Sequence, residues 1–383
     1  METTNPITPS SSSPEALWYP SEWGQTPTAL CHDWLTGMRG GERCLELLCD
    51  GFPQAEICTL ISNPESVSEA IRSHSIRSSY LNRFPGIEKH YRNLLPLFPN
   101  AIGRMAPPAD VKMLVSTSHC VAKSLRTHPE TTHFSYCFTP MRYAWLFHEE
   151  YFGKKAKYLK PLLTRLQDWD RRTAERVDHF IAISHHVRER IETFYGREAD
   201  VVYPPVDTGY FQPNGHPSEN FDLVISALVP YKRVDLAVEA YNRTGRPLKV
   251  VGSGGEFDKL RTMAKPNVEI LGRLRDEEVR GMYQRCRFLL FPGEEDFGIV
   301  PLEAMACGRP VIAYAKGGAL ETVADQVSGV FFGEQSSESM IEGIEQAESI
   351  SWDPVRVREQ SLKFSQQTFI SGLDRVFRQS SIF

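Results

Sequence analysis

The sequence predicts an α/β protein made of two doubly wound, Rossmann-like domains facing across a cleft. Strand-like apolar runs alternate with helical stretches in both halves of the chain. The 383 residues are too many for one compact core and fit two. Between the halves, Tyr203-Pro204-Pro205 reads as a stiff linker. Composition sets limits on function. Hydrophobic residues at 41% and charged residues at 24% are ordinary for a soluble globular protein. A net charge of −5 and a pI near 6.2 argue against a nucleic-acid partner, which would call for a basic face. The cysteines, at 31, 44, 49, 58, 120, 137, 286 and 307, include no Cys-x2-Cys pair. No secretory leader is read, so reduced thiols in a cytosol are expected. No run reaches the ~18 apolar residues of a spanning helix. The expected location is cytoplasmic, at most peripheral on the inner face of a membrane.

Residues 1–26 are rich in Ser and Pro and read as a disordered or loosely docked tail, although Trp18 and Trp23 offer packing groups. A first domain is expected over 27–204. It opens with a strand at Thr28–His32, a turn carrying Gly40 and Gly41, and a helix through Cys44-Leu45-Glu46-Leu47-Leu48. Taken alone, the two glycines suit equally a tight turn or a close approach of backbone to a phosphate. Further strands are expected at 55–60, 111–116, 132–137 and 179–184, a helix at 162–177 and an exit strand before the linker. The second domain, 205–365, has expected strands at 221–227, 248–252, 268–271, 288–291 and 311–313. Its expected helices are near 234–244, 256–264, 276–285 and 299–307. One last helix is expected over about 356–379.

The most informative stretch is Gly293-Glu294-Glu295-Asp296-Phe297-Gly298-Ile299-Val300-Pro301-Leu302-Glu303. It follows a buried strand, and Pro301 suits the first turn of a helix that Gly308 and Pro310 end. Glu295 is then expected in the loop and Glu303 in the first helical turn. Gly298 leaves backbone N–H groups open between them, and with the helix dipole these favour an anion such as a diphosphate. Two carboxylates beside that anion suit hydroxyls instead. The ligand that wants both is a nucleotide diphosphate sugar. A lone Glu-x7-Glu would be only a pair of favourable helix-terminal charges. Just past another strand, Lys232 and Arg233 can neutralise a diphosphate and stabilise its departure.

Other patterns carry less. Val250-Val251-Gly252-Ser253-Gly254-Gly255 lacks the third glycine of a dinucleotide fingerprint and suits a strand-to-helix turn lining the cleft. Asp168-Trp169-Asp170 sits in a helical run where positions i and i+2 face apart, so it reads as an exposed helix segment. His185-His186 and His148-Glu149-Glu150 lack metal-ligand spacing, and no metal site or cofactor is expected. Over 71–104, Arg72, Arg77, Arg83, Lys89, Arg92 and Arg104 are interleaved with aromatic and apolar residues. These suit equally a face against anionic lipid heads or a solvated helical face over a core stripe.

The string from Glu295 through Val311-Ile312-Ala313, followed by Gly317-Gly318-Ala319-Leu320-Glu321, resembles the donor-site signature of the family-4 retaining glycosyltransferases, which have the GT-B fold. Phe138-Thr139-Pro140-Met141-Arg142-Tyr143-Ala144-Trp145 resembles a motif of the O-antigen-type mannosyltransferase branch. Its usual form begins with His, so Phe138 is a departure. The resemblance implies Glu303 on the ribose hydroxyls, Glu295 on the sugar, Lys232 and Arg233 on the diphosphate, and Phe297, Gly298, Ile299 and Val300 at the donor. It implies Gly40 and Gly41 facing the cleft, Gly272 and Leu274 beside the nucleobase, and Arg142 as a fixed cation for acceptor or phosphate. Ala227 stands where many members carry a diphosphate-binding Arg. A terminal helix, 366–383, is implied to cross back onto the first domain. The implied activity is metal-independent, retaining transfer of a mannose-like hexose in surface polysaccharide synthesis. The acceptor would be a saccharide or a polyprenyl-diphosphate-linked saccharide. Two alternatives share the donor: a GT-B nucleotide-sugar epimerase and a non-catalytic sugar-nucleotide-binding subunit.

Overall fold

A computed structural model describes residues 17–146, 156–380 and 382–383. The His148-Glu149-Glu150 stretch lies outside them. The first sheet runs through β1 (Thr28–His32), β2 (Glu56–Thr59), β3 (Ile76–Ser78), β4 (Met113–Ser118), β5 (Thr132–Cys137), β6 (His179–Ala182) and β7 (Ala199–Val201). Its spatial order is β3-β2-β1-β4-β5-β6-β7, and every pairing is parallel. β1 and β4 are buried along their whole length, as expected where helices cover both faces of a parallel sheet.

The second sheet holds β8 (Asp222–Ile225), β9 (Leu248–Val251), β10 (Val268–Gly272), β11 (Leu289–Phe291), β12 (Val311–Tyr314) and β13 (Gly329–Phe332). These also pair in parallel, in the order β10-β9-β8-β11-β12-β13. Two parallel α/β sheets bear out the expected fold class. β3 and β13 escaped the sequence reading. β3 is an edge strand of only three residues, and β13 opens on Gly329, a poor strand former.

The chain end departs from expectation. Instead of one helix over 356–379 there are two, Pro354–Leu362 and Gln366–Phe377. Ser365 breaks the run, because its hydroxyl accepts the Thr368 N–H and so starts a new helix. The second of these helices lies on the first sheet. Phe369 packs edge-on to Tyr136 and Phe377 to Phe134. Gly372 allows the close approach: a Cβ there would sit 2.9 Å from Val202 Cγ1.

The described part of the N-terminal segment, from residue 17, is firmly docked, which corrects the loose tail. Ser21–Gln25 form a short helix, and Trp23 is only 1% exposed. Its ring stacks on Phe52 at 4.8 Å, and its indole N–H donates to Asp374 at 3.2 Å. The aromatic ring supplied a burial signal that outweighed the polar composition around it. Trp23→Ala should therefore cost about 3–5 kcal/mol, the usual range for deleting a buried aromatic side chain. A urea denaturation midpoint no lower than the parent's would show that the segment is not anchored this way.

Candidate functional site

In each sheet the strand order reverses once, between β1 and β4 in the first and between β8 and β11 in the second. Loops leaving the carboxyl ends of such neighbours diverge to opposite faces and leave a crevice between them. The loops after β8 and β11 are those that carry Lys232 and Glu295. Gly293 presses on the first of them, for a Cβ there would sit 3.0 Å from Lys232 Cα. Lys232 Nζ forms an ion pair with Glu295. The structure thus brings together two predicted site residues 63 positions apart.

Glu295 belongs to a run of three carboxylates, each with its own cation. Glu294 meets Lys316 at 3.1 Å and His186 at 3.9 Å. Asp296 meets Arg142 at 2.5 Å and also pairs with Arg190. Burial would push the Asp296 carboxyl up, but Arg142 and Arg190 outweigh it and hold the group below the usual range. Across the loop lies the Gly317-Gly318 turn. Gly318 N–H donates to the Glu295 carbonyl at 2.8 Å. A Cβ on Gly318 would meet Phe297 Cα at 2.2 Å, so only glycine fits against this backbone.

Gly298 adopts φ +95°, a left-handed conformation that suits glycine, and it starts the helix Ile299–Ala306. Glu303 accordingly sits in the second turn. The helix begins at Ile299 as expected, and Glu303, its fifth residue, falls just past the first turn expected for it. Glu303 is half-buried in the cleft wall. Its carboxylate accepts a hydrogen bond from Tyr283 OH at 2.6 Å. Burial pushes the carboxyl up to about 7, against the pull of that hydrogen bond. Ile299 and Val300 line the first turn, half-buried. The Phe297 side chain turns away into the hinge, where it stacks on Tyr203 and packs on Phe364. Any ligand contact at that position falls to its backbone.

The remaining expected residues are placed as follows. Arg233 takes a left-handed φ of +51° and pairs with Asp235 at 3.2 Å. Gly272 (φ +72°) ends β10, its carbonyl accepts from Gly252 N–H, and Leu274 packs partly on the core. Gly252 and Gly254 are explained by packing, since Cβ atoms there would lie 1.8 and 2.2 Å from the Ser226 and Leu228 carbonyl oxygens. Gly40 and Gly41 open the helix Gly40–Gly51, where Glu42 accepts the Arg39 N–H. Gly41 makes room for Phe138: a Cβ would stand 3.2 Å from that ring. Arg142, expected as a cation for the acceptor, is taken up by Asp296.

Asp170 corrects another expectation. It is fully buried, not exposed, and it braces the Arg142 segment. Its carboxylate pairs with Lys123 at 2.8 Å and accepts from Trp145 Nε1–H and Tyr195 OH. Within 71–104, Leu81, Tyr91, Leu95, Phe98, Ala101 and Ile102 are core residues, while Phe84 and Leu97 stay exposed.

Several residues at the cleft gave no sign in the sequence. Asp33, after β1, accepts the backbone N–H groups of His119, Val121 and Ala122, and pairs with His119 Nδ1 at 3.1 Å. Burial opposes its charge, yet His119 and these hydrogen bonds hold it down at about 2. Glu321 caps the helix His185–Tyr195 by accepting the N–H groups of His185 and His186. Ser184 Oγ–H donates to the Asp296 carbonyl at 2.6 Å. These pairs join segments 86 to 136 residues apart, beyond the reach of any local spacing.

Comparison with known proteins agrees with this geometry. The model described as "Glycosyltransferase Family 4" matches residues 39–210, and that described as "Glycosyl transferases group 1" matches 208–364. The chain belongs to the GT-B glycosyltransferases of group 1 and family 4. An uncharacterised glycosyltransferase of Methanocaldococcus jannaschii is 30% identical over 215 residues, which is 53% of this chain and 60% of that protein. O-antigen chain mannosyltransferase C of Escherichia coli is 31% identical over 134 residues, 33% of this chain and 36% of that protein. The chain thus spans less than two thirds of the length of these curated relatives. Among solved structures, Anabaena HepE in complex with UDP superposes with a TM-score of 0.67 at 16% identity, over 92% of this chain and 100% of that one. Sucrose-phosphate synthase from Thermosynechococcus elongatus does so with 0.68 at 16%, over 92% and 98%. At such identities these two speak for the GT-B fold alone.

The close approach at Gly318 generates a test of how this family member builds its loop. Gly318→Ala should push residues 295–297 aside, lower the melting temperature and weaken sugar-nucleotide binding. Parent-like stability and binding would mean that the loop tolerates displacement and is not held as described.

Proposed function

We propose that this protein is a metal-independent, retaining hexosyltransferase. It moves a mannose-like sugar from a nucleotide diphosphate sugar to a saccharide or polyprenyl-diphosphate-linked saccharide in surface polysaccharide synthesis. The observation that carries this reading is the Lys232–Glu295 ion pair at the β8/β11 crevice, with Glu303 on the adjoining helix. A diphosphate entering between the open N–H groups after Gly298 and the Lys232 ammonium would split that pair. Lys232 would then neutralise the phosphate, and Glu295 would be released to accept hydrogen bonds from the sugar. Arg233, one step from Lys232, adds a second cation.

Residues 205–365 serve in this reading as the donor side and 27–204 as the acceptor side, with 366–383 as the returning segment. The leaving diphosphate oxygen takes the acceptor proton as the new bond forms on the same face. Stabilising that oxygen is then the largest catalytic contribution. Relatives named as mannosyltransferases support the choice of sugar, and E. coli O-antigen chain mannosyltransferase C supports the polysaccharide role. No helix among the described residues is long and apolar enough to cross a membrane. A lipid-linked acceptor would be reached from the membrane surface, with Phe84 and Leu97 as exposed apolar groups.

Two results test the reading. GDP or UDP at a hundredfold its Kd should stabilise the protein by ~2.7 kcal/mol in a thermal-shift titration. Lys232→Ala should abolish most of that shift and slow donor cleavage ~100–1,000-fold, the usual effect of losing one preorganised charge partner, while EDTA leaves the parent unaffected. No response to either nucleotide would overturn the proposal, and loss of activity in EDTA would overturn its metal independence.

The Glu303 carboxyl adds a pH dependence. Held up to about 7, it keeps its proton at pH 6 and is an ionised acceptor for ribose hydroxyls at pH 8. Nucleoside diphosphate affinity should rise about tenfold across that span, one pKa unit being worth a factor of ten. In Glu303→Gln only the titration of the phosphate itself should remain. Equal pH profiles for parent and mutant would remove Glu303 from the ribose.

A further inference from the structure

Asp296 lies next to the proposed sugar ligand, yet its partners all belong to the other half of the chain. Its carboxylate meets Arg142 and Arg190, and its carbonyl oxygen accepts from Ser184. Arg190 is steadied by Thr139, and Ser184 is also the N-cap of the helix that carries Arg190. Two guanidinium groups on one buried carboxylate form a strong, directional contact. The Asp296 side chain is only 11% exposed, so a ligand group would have to displace these partners to reach it.

The Asp296 backbone is continuous with Glu295, whose carbonyl is pinned to Gly318 and whose side chain faces Lys232. Any shift of the first domain at Asp296 therefore reaches the backbone of Glu295 directly. We infer that Asp296 is a positioning residue: by latching the donor loop to Arg142 and Arg190, it makes domain closure and the placement of Glu295 a single event. This rests on the transferase reading above but adds a role for two residues, Asp296 and Arg190, that take no part in it. Asp296 touches neither sugar nor phosphate. It acts through Glu295, and a misplacement of about 1 Å at such a group is enough to cost ~100-fold in rate.

The test compares the parent with Asp296→Asn, Arg190→Gln and the double variant. Calorimetry measures GDP and UDP binding, initial rates measure cleavage of GDP-mannose and UDP-glucose, and small-angle scattering measures the radius of gyration with GDP or UDP present. Asp296→Asn should bind the nucleoside diphosphate within twofold of the parent, cleave the donor ~100-fold more slowly at saturation, and remain more open in scattering. Arg190→Gln should follow in the same direction, and the double variant should be no worse than the more affected single one. Arg190→Gln and Arg190→Lys, at the partly exposed end of the latch, carry the test if Asp296→Asn does not fold. Parent-like cleavage with parent-like dimensions in these variants overturns the latch while leaving the transferase intact. So does a rate loss with unchanged dimensions, which would mean a purely local role. A parent that binds neither nucleotide overturns the transferase reading first.

Discussion

Three adjacent carboxylates in one short loop repel one another, and the site depends on how that repulsion is relieved. Glu294, Glu295 and Asp296 are each neutralised from a different direction: by Lys316, by Lys232, and by Arg142 with Arg190. Such pairing in a low-dielectric cleft is far stronger than on an open surface. Glycine supplies the rest of the constraint. Gly293, Gly317 and Gly318 let neighbouring backbone press against the loop where a Cβ would collide. Charge pairing and close backbone contact together fix the loop before any ligand arrives.

The same stretch sorts its acids by environment. Asp296, between two guanidinium groups, is held below the usual carboxylate range although its side chain is only 11% exposed. Glu303, seven residues on and facing a phenol instead of a cation, is pushed up to about 7. Glu295 is paired with Lys232, the cation that the proposed function gives to the incoming phosphate. Carboxylates held in such different surroundings suit different tasks, and the proposed function uses them as a structural anchor, a sugar ligand and a ribose ligand. Opposite this wall, Asp33 and His119 occupy the reversal point of the first sheet. Phe138 packs edge-on to Tyr136 in the space that Gly41 leaves.

Much of this was legible in the residues themselves. Eleven strands were expected near their observed places, because buried parallel strands are short apolar runs with sharp ends. The strand, acidic loop and helix around Glu295 follow from the apolar run before Gly293 and from Pro301, Gly308 and Pro310. Other features were not legible, each for a physical reason. Asp296, Arg190, Glu321, Asp33 and His119 matter through partners distant in sequence, and no local period records such pairs. Asp170 looks like a surface residue until Lys123, Trp145 and Tyr195 are brought around it. The break at Ser365 was hidden because the helices on both sides carry continuous apolar patterning. Ser365 differs only in a hydroxyl that caps instead of propagating.

The central claim is that Glu303 and Glu295 divide the donor between them, one on the ribose and one on the sugar. Calorimetric titration of Glu303→Gln and Glu295→Gln, each with the free nucleoside diphosphate and with the intact sugar nucleotide, tests it most directly. Charge-assisted hydrogen bonds are about twice as strong as neutral ones, so the account predicts that Glu303→Gln weakens both ligands. Glu295→Gln should weaken only the sugar nucleotide and bind the nucleoside diphosphate like the parent. Parent-like binding of both ligands by both variants would contradict the account and reduce the two carboxylates to charges at a helix end.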